Sequence, residues 1–262
     1  MKKTIFAVLI ICIILVPAYL MSFCDGFQIQ ASNIVAGNIA NQKAVTLTFS
    51  GYVWNIENSG SSTNNPGPNY WTSSTNNVWV DSNGWLHLQI TKTSGVWRCA
   101  EIWTQTVLGY GTYTFVVSNN AASMDKNVVL GLFTYEDDSH EVDIEFSRWG
   151  SSQNNYGWYT VQPPPYTSGY NQASFNSKLT ASYSTHFFTW SQNQVSFESL
   201  QGQPSLTNPP PSSIIESFTS PISTNAAGAQ AHINLWLFNG QPPSNGKSVS
   251  VVIKSFNFTP AT

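Results

Sequence analysis

Three carboxylates stand at alternate positions in His140-Glu141-Val142-Asp143-Ile144-Glu145-Phe146, with β-branched Val142 and Ile144 between them. Strict alternation puts Glu141, Asp143 and Glu145 on one face of a β-strand and the apolar residues on the other. Charged residues make up only 9% of the chain, which has 13 Asp and Glu in all. Yet Glu136, Asp137, Asp138, Glu141, Asp143 and Glu145 fall within one short stretch. Like charges stacked along a strand face repel, so the arrangement calls for a chemical reason.

Paired acid and base work supplies one. Four residues of strand at ~3.3 Å each separate the Cα atoms of Glu141 and Glu145 by roughly 13 Å. Side chains leaning together over a concave sheet bring the carboxyls toward the ~5–5.5 Å of retaining glycosidases, where one attacks an anomeric carbon and the other protonates the leaving oxygen. Asp143, between them, can hydrogen-bond one glutamate. Its charge disfavours ionisation of its neighbours, so one glutamate is expected to stay protonated near working pH and serve as acid. The pair should titrate as a coupled unit. The alternatives are a solvated acidic face or a calcium site, although calcium wants converging oxygens from a loop, which a straight strand does not offer.

Strands must position these groups. Val78-Trp79-Val80, the turn Asp81-Ser82-Asn83-Gly84 and Trp85-Leu86-His87-Leu88-Gln89-Ile90 read as a hairpin. Further strands are expected at 99–104, 111–117, 128–135, 141–146, 156–161, 186–190, 194–198, 233–238 and 248–258. The polar stretch 58–69 reads as a loop, as do the runs Pro163-Pro164-Pro165 and Pro209-Pro210-Pro211, which strand interiors do not tolerate. Helical periodicity is confined to the N-terminal segment, and there is no internal repeat. Many strands joined by polar turns point to an antiparallel sandwich or jelly roll.

At 262 residues and 41% hydrophobic content the chain can bury one sizeable core. A net charge of −3 and the lack of Lys/Arg runs argue against nucleic acid or an anionic membrane as partner. Ten Trp in a background rich in Asn, Ser, Thr and Gln suit neutral, hydroxyl-rich ligands. Lys2 and Lys3 precede an apolar run from Ile5 to Leu20, broken only by Pro17, so residues 1–24 read as an export signal and 25–262 as one domain. An uncleaved membrane anchor is the alternative. Cys12 and Cys24 fall in or at the end of this segment and Cys99 has no evident partner, so neither a disulfide scaffold nor a zinc site is expected.

Glu141-Val142-Asp143-Ile144-Glu145-Phe146 resembles the active-site signature of glycoside hydrolase family 16, which includes lichenases, laminarinases, agarases and xyloglucan-modifying enzymes. The spacing, with no extra residue before the second glutamate, is similar to the lichenase pattern. Other segments resemble that family in order: Asn77-Val78 with Gly84-Trp85-Leu86-His87-Leu88, Cys99-Ala100-Glu101-Ile102, Gly109-Tyr110-Gly111-Thr112-Tyr113, Thr185 to Trp190, and His232-Ile233-Asn234-Leu235-Trp236. The likeness spans roughly residues 70–258.

The resemblance implies an all-β, antiparallel, concanavalin A-like jelly roll whose concave sheet forms a sugar cleft. It implies Glu141 as nucleophile, Glu145 as general acid/base and Asp143 as assisting carboxylate. Glu101, Trp103, Phe133, Tyr159, Asn234 and Trp236 become candidate cleft residues; a Trp face stacks on the apolar face of a pyranose, and Asn or Glu bonds its hydroxyls. Trp149 is a further platform candidate, while His186 and His232 read first as packing or hydrogen-bonding residues. The chain departs from lichenases in carrying Trp103 where they have an Arg, in a shorter segment before the acidic motif, and in the Pro163–Pro165 loop.

The expectation is a secreted, monomeric, retaining endo-glycosidase acting on a β-linked polysaccharide, β-1,3- or β-1,3-1,4-glucan. It needs no organic cofactor, and the resemblance admits a structural calcium ion. A transglycosylase with the same residues and a non-catalytic carbohydrate-binding protein of the same fold are the rivals.

Overall fold

Alternation of apolar and polar residues recurs along the chain, and in the computed structural model it becomes sixteen strands among the described residues, 44–118 and 121–262. The expected export signal lies outside them, as do residues 25–43. In chain order the strands are β1 (Thr46–Phe49), β2 (Tyr52–Ile56), β3 (Tyr70–Trp71), β4 (Val78–Val80), β5 (Leu86–Thr93), β6 (Val96–Val107), β7 (Gly111–Ser118) and β8 (Val128–Tyr135). Then come β9 (Glu141–Ser147), β10 (Gly157–Val161), β11 (Gln172–Phe175), β12 (Tyr183–Trp190), β13 (Val195–Gln201), β14 (Ile214–Ser220), β15 (Gln230–Leu237) and β16 (Val249–Pro260). Every pairing is antiparallel except the short one between β3 and β6.

The strands form one continuous sheet in the order β11-β10-β9-β8-β15-β6-β5-β16-β7-β12-β13-β14, with β2 and β1 continuing beyond β6. The sheet doubles over at the β5–β6 hairpin, so that its two halves face each other. Ser94 and Gly95 make that turn with φ of 51° and 84°. Positive φ at both central positions is what a two-residue hairpin turn needs to match strand twist. Aromatic rings meet between the halves. Tyr159 of β10 stacks on Phe197 of β13 at 5.0 Å, and Trp54 of β2 meets Phe256 of β16 edge-on at 5.2 Å. Each such ring contributes about 1.5–3 kcal/mol through burial.

The acidic strand obeys its alternation: Val142, Ile144 and Phe146 are fully buried against this core. Behind Phe146 lies a buried polar chain. The Tyr159 hydroxyl donates to Ser199 Oγ at 2.6 Å, and His186 contacts Ser199 Oγ and Ser184 Oγ, each at 2.7 Å. Burial pushes His186 down to about 3, so it is neutral there and serves as a hydrogen-bonding core residue.

The expected strands at 78–90, 99–104, 111–117, 128–135, 141–146, 156–161, 186–190, 194–198, 233–238 and 248–258 all have counterparts within a few residues. Five strands have none among the expectations: β1, β2, β3, β11 and β14. Both proline runs lie outside strands, as expected.

Candidate active site

Register across the sheet assembles the site. In β9, Asp143 pairs with Phe133 of β8 on one side and Thr160 of β10 on the other. Phe133 in turn pairs with His232 of β15, and His232 with Trp103 of β6. A neighbouring row runs Trp158, Glu145, Gly131, Asn234, Glu101 through the same five strands. Paired residues point to the same face, so one surface collects the three carboxylates, Glu101, Asn234 and the rings of Phe133, His232 and Trp158.

Two cavities open on this face. The first, of about 280 Å³, is lined by Glu101, Phe133, Tyr135, Asp138, Glu141, Asp143, Glu145, His232, Asn234 and Trp236, with Asn65 and Pro66 from the loop at 58–69. The second, of about 430 Å³, is lined by Glu145, Trp149, Trp158, Thr160, Gln162, Tyr166, Gln172 and Trp236. Glu145 and Trp236 belong to both and stand where the cavities meet.

Electrostatics distinguish the carboxylates. Burial raises the proton affinity of Glu141, and the charges of Asp138 and Glu101 add to this, while a hydrogen bond from Asp143 opposes it. Asp143 is raised by burial first, then by the charges of Glu141 and Glu145 and by that same bond, in which it acts as donor. Glu145 is raised by burial and then by Glu141. Both glutamates end above the ordinary carboxylate range, Glu141 at about 7 and Glu145 at about 8, so between those values Glu141 is charged while Glu145 keeps its proton. Gln162 steadies Asp143 with its side-chain amide. Its Oε1 accepts from the Tyr166 hydroxyl at 2.7 Å, and its backbone N–H donates to the Glu141 carbonyl at 3.1 Å.

Most of the expected cleft residues converge. Glu101, Phe133, Asn234 and Trp236 line the first cavity with the three carboxylates, and Trp149 lines the second. Trp103 shares the face but stacks on His232, with centroids 6.0 Å apart, rather than lining the cavity. Tyr159 is a correction. It pairs with Ile144, on the core side of the sheet, and is fully buried. Its neighbour Trp158, paired with Glu145, takes the cleft position instead. Alternation makes the two mutually exclusive, and the sequence motif does not carry the register that decides between them.

His232 was expected to pack or to hydrogen-bond. It does both, and it also borders the cavity: its Nδ1 lies 2.9 Å from Glu101 Oε1. Trp158, Gln162, Tyr166 and Tyr135 were not singled out from sequence. Only Trp158 carried a usable signal, being one residue from a residue that was. Trp149 holds a positive φ of 47° beside Gly150, conformational strain of the kind that concentrates at binding sites. Cys99 is a buried free thiol against Asn69 Oδ1 at 3.3 Å, and burial pushes it up to about 12, so it is inert. Among the described residues no group of three His, Cys, Asp or Glu side chains could hold a metal ion, and the calcium admitted by the resemblance finds no such ligand set there.

No protein-family model matches the sequence, and neither does any curated protein. Solved structures do match. The chain is similar to a β-glucanase of Bacillus licheniformis, with 19% identity and a TM-score of 0.59 over 84% of this chain and 100% of that one. An immunostimulatory antigen and pseudo β-1,3-glucanase of Mycobacterium tuberculosis matches with 17% identity and a TM-score of 0.60, over 80% and 91%. A β-1,3-1,4-glucanase (lichenase) derived from a mouse hindgut metagenome matches with 17% identity and a TM-score of 0.56, over 82% and 96%. At these identities the likeness speaks for architecture: the chain has the jelly-roll fold of the β-glucanases.

Proposed function

We propose that the protein is a secreted, retaining, endo-acting glycoside hydrolase of the family 16 type that cleaves a β-linked glucan, β-1,3 or β-1,3-1,4. The observation that carries this reading is the face of β9, where Glu141, Asp143 and Glu145 line one sugar-sized cavity and Glu145 opens into a second. In the first half-reaction the Glu141 carboxylate attacks the anomeric carbon while Glu145 protonates the departing glycosidic oxygen, leaving a glycosyl ester on Glu141. Glu145, now ionised, takes a proton from water, which attacks the same carbon and releases Glu141. The Asp143 bond to Glu141 stabilises the carboxylate as it leaves. Cavities on both sides of Glu145 suit a polymer lying across the site rather than a chain end.

The test is to incubate the protein and its Glu141→Gln form with β-glucans, galactans and xyloglucan and to weigh the products. Oligosaccharides should appear from a β-glucan, and the variant should lose ~10³-fold or more in rate. Two further readings each have an observation behind them. The aromatic second cavity, with Trp149, Trp158 and Trp236, could hold a sugar acceptor, and products larger than the substrate would identify a transglycosylase. A structural neighbour described as a pseudo β-1,3-glucanase shows that this fold occurs under such a description. Binding without turnover across the panel would identify a carbohydrate-binding protein.

A further inference from the structure

We infer that His232 reads the sugar next to the one being cleaved: it fixes the Glu101 carboxylate and offers its own Nε2 to a hydroxyl of an unsubstituted pyranose. This rests on the hydrolase reading for the direction of the sugar chain. Glu141 bonds the anomeric carbon of the retained portion, and the cavity that contains Glu141 also contains His232 and Glu101, whereas the other cavity has Glu145 alone among the carboxylates. His232 stands two strand spacings from Asp143 through Phe133, roughly 10 Å. That is beyond the reacting ring and on the retained side.

The ring is immobilised. Trp103 stacks on it at 6.0 Å and 12°, Phe133 lies 4.9 Å away and Tyr135 approaches edge-on at 5.8 Å. Its Nδ1 faces Glu101 Oε1 at 2.9 Å. A carboxylate can only accept, so Nδ1 carries a proton toward Glu101, and Nε2 is the ring atom left to meet a sugar hydroxyl, which can donate or accept. Among the described residues Nε2 has no hydrogen-bond partner. Nδ1 and Nε2 point to opposite sides of the ring, so the Glu101 carboxylate and Nε2 present two separated polar contacts in a rigid frame. Two free hydroxyls on the sugar satisfy both, and a substituent on either would leave a desolvated polar atom unpaired.

Three substitutions separate the roles. His232→Asn keeps a donor near Nδ1 to hold Glu101 and loses the Nε2 contact. His232→Gln extends a polar group toward the Nε2 position and loses the Glu101 bond, and His232→Ala loses both. Each is assayed for hydrolysis of a β-glucan pentasaccharide, for Tm, and, combined with Glu141→Gln, for pentasaccharide binding by calorimetry. KM and Kd should rise ~10- to 100-fold for Ala and less for Asn and Gln, with kcat moving less than about threefold. A Kd that stays put in all three, or losses in kcat and Tm without a change in Kd, would overturn the inference. If the wild type cleaves nothing but its sugar binding still follows this order, the hydrolase reading fails and the His232 assignment stands. If no glucan binds at all, both fail.

Discussion

Trp158 stands directly across the sheet from Glu145, and it lines the same cavity into which that carboxylate opens. Its Nε1 donates to the Ser147 carbonyl at 2.9 Å, which holds the ring in place. Tyr159, one residue on, faces the core and is tied to Ser199. The two side chains should therefore fail differently when altered. Trp158→Ala should raise KM for glucan oligosaccharides by ~5- to 30-fold through lost stacking, with Tm nearly unmoved. Tyr159→Phe should cost about 1–2 kcal/mol of stability by leaving the Ser199 hydroxyl short of a partner, with kinetics nearly unmoved. Urea titrations and steady-state kinetics on both variants check this, and a reversed pattern would contradict the register.

The rate should follow a narrow bell in pH. The productive form has Glu141 ionised and Glu145 protonated; burial and charge raise the first to about 7 and the second to about 8. Because kcat/KM reports the free enzyme, it should climb through about 7, fall through about 8 and peak between them. A kcat/KM profile with its maximum near pH 4–5 would exclude this arrangement of protons.

Stability should fall on the alkaline side. Both glutamates bind protons more tightly folded than at their ordinary value of 4.5, so the folded state holds more protons above that point. Their contribution is fully present below about pH 4.5 and is lost as pH rises through about 7 and about 8. Glu145→Gln removes one of these groups while keeping its shape. The variant should unfold with ~1–3 kcal/mol more resistance than wild type at pH 9 and show little gain at pH 4. Thermal melts across that range decide the matter.

Several features of this molecule were legible in the sequence because they are local. The E-x-D-x-E alternation places its carboxylates on one face without any knowledge of neighbouring strands, and the turn at Asp81–Gly84 announces its hairpin by residue type. What depends on pairing was not legible. Tyr159 and Trp158 are interchangeable until β10 is set against β9, and His232 shows its role only when Glu101 arrives from a strand far away in sequence. The β1–β2 hairpin is a different case: Ser50-Gly51, with φ of 51° and 83°, is a turn signal between alternating runs that the expected strands do not include. By contrast β11, a four-residue strand of sequence QASF, is too short and too polar to stand out from a loop.

Gly131 pairs with Glu145 on one side and Asn234 on the other, and its N–H donates to Asn234 Oδ1 at 3.1 Å. A Cβ there would lie 2.5 Å from that oxygen. The depth available to a sugar ring above the acid glutamate is thus set by a hydrogen standing where every other residue carries carbon. Gly131→Ala should displace the Asn234 amide and cut turnover of glucan at least ~10-fold without altering a carboxylate, as kcat measured beside an intact far-UV spectrum would show. Selection acting on this one position could make the trough shallower or restore it, so the range of admissible rings can change while the proton chemistry stays as it is.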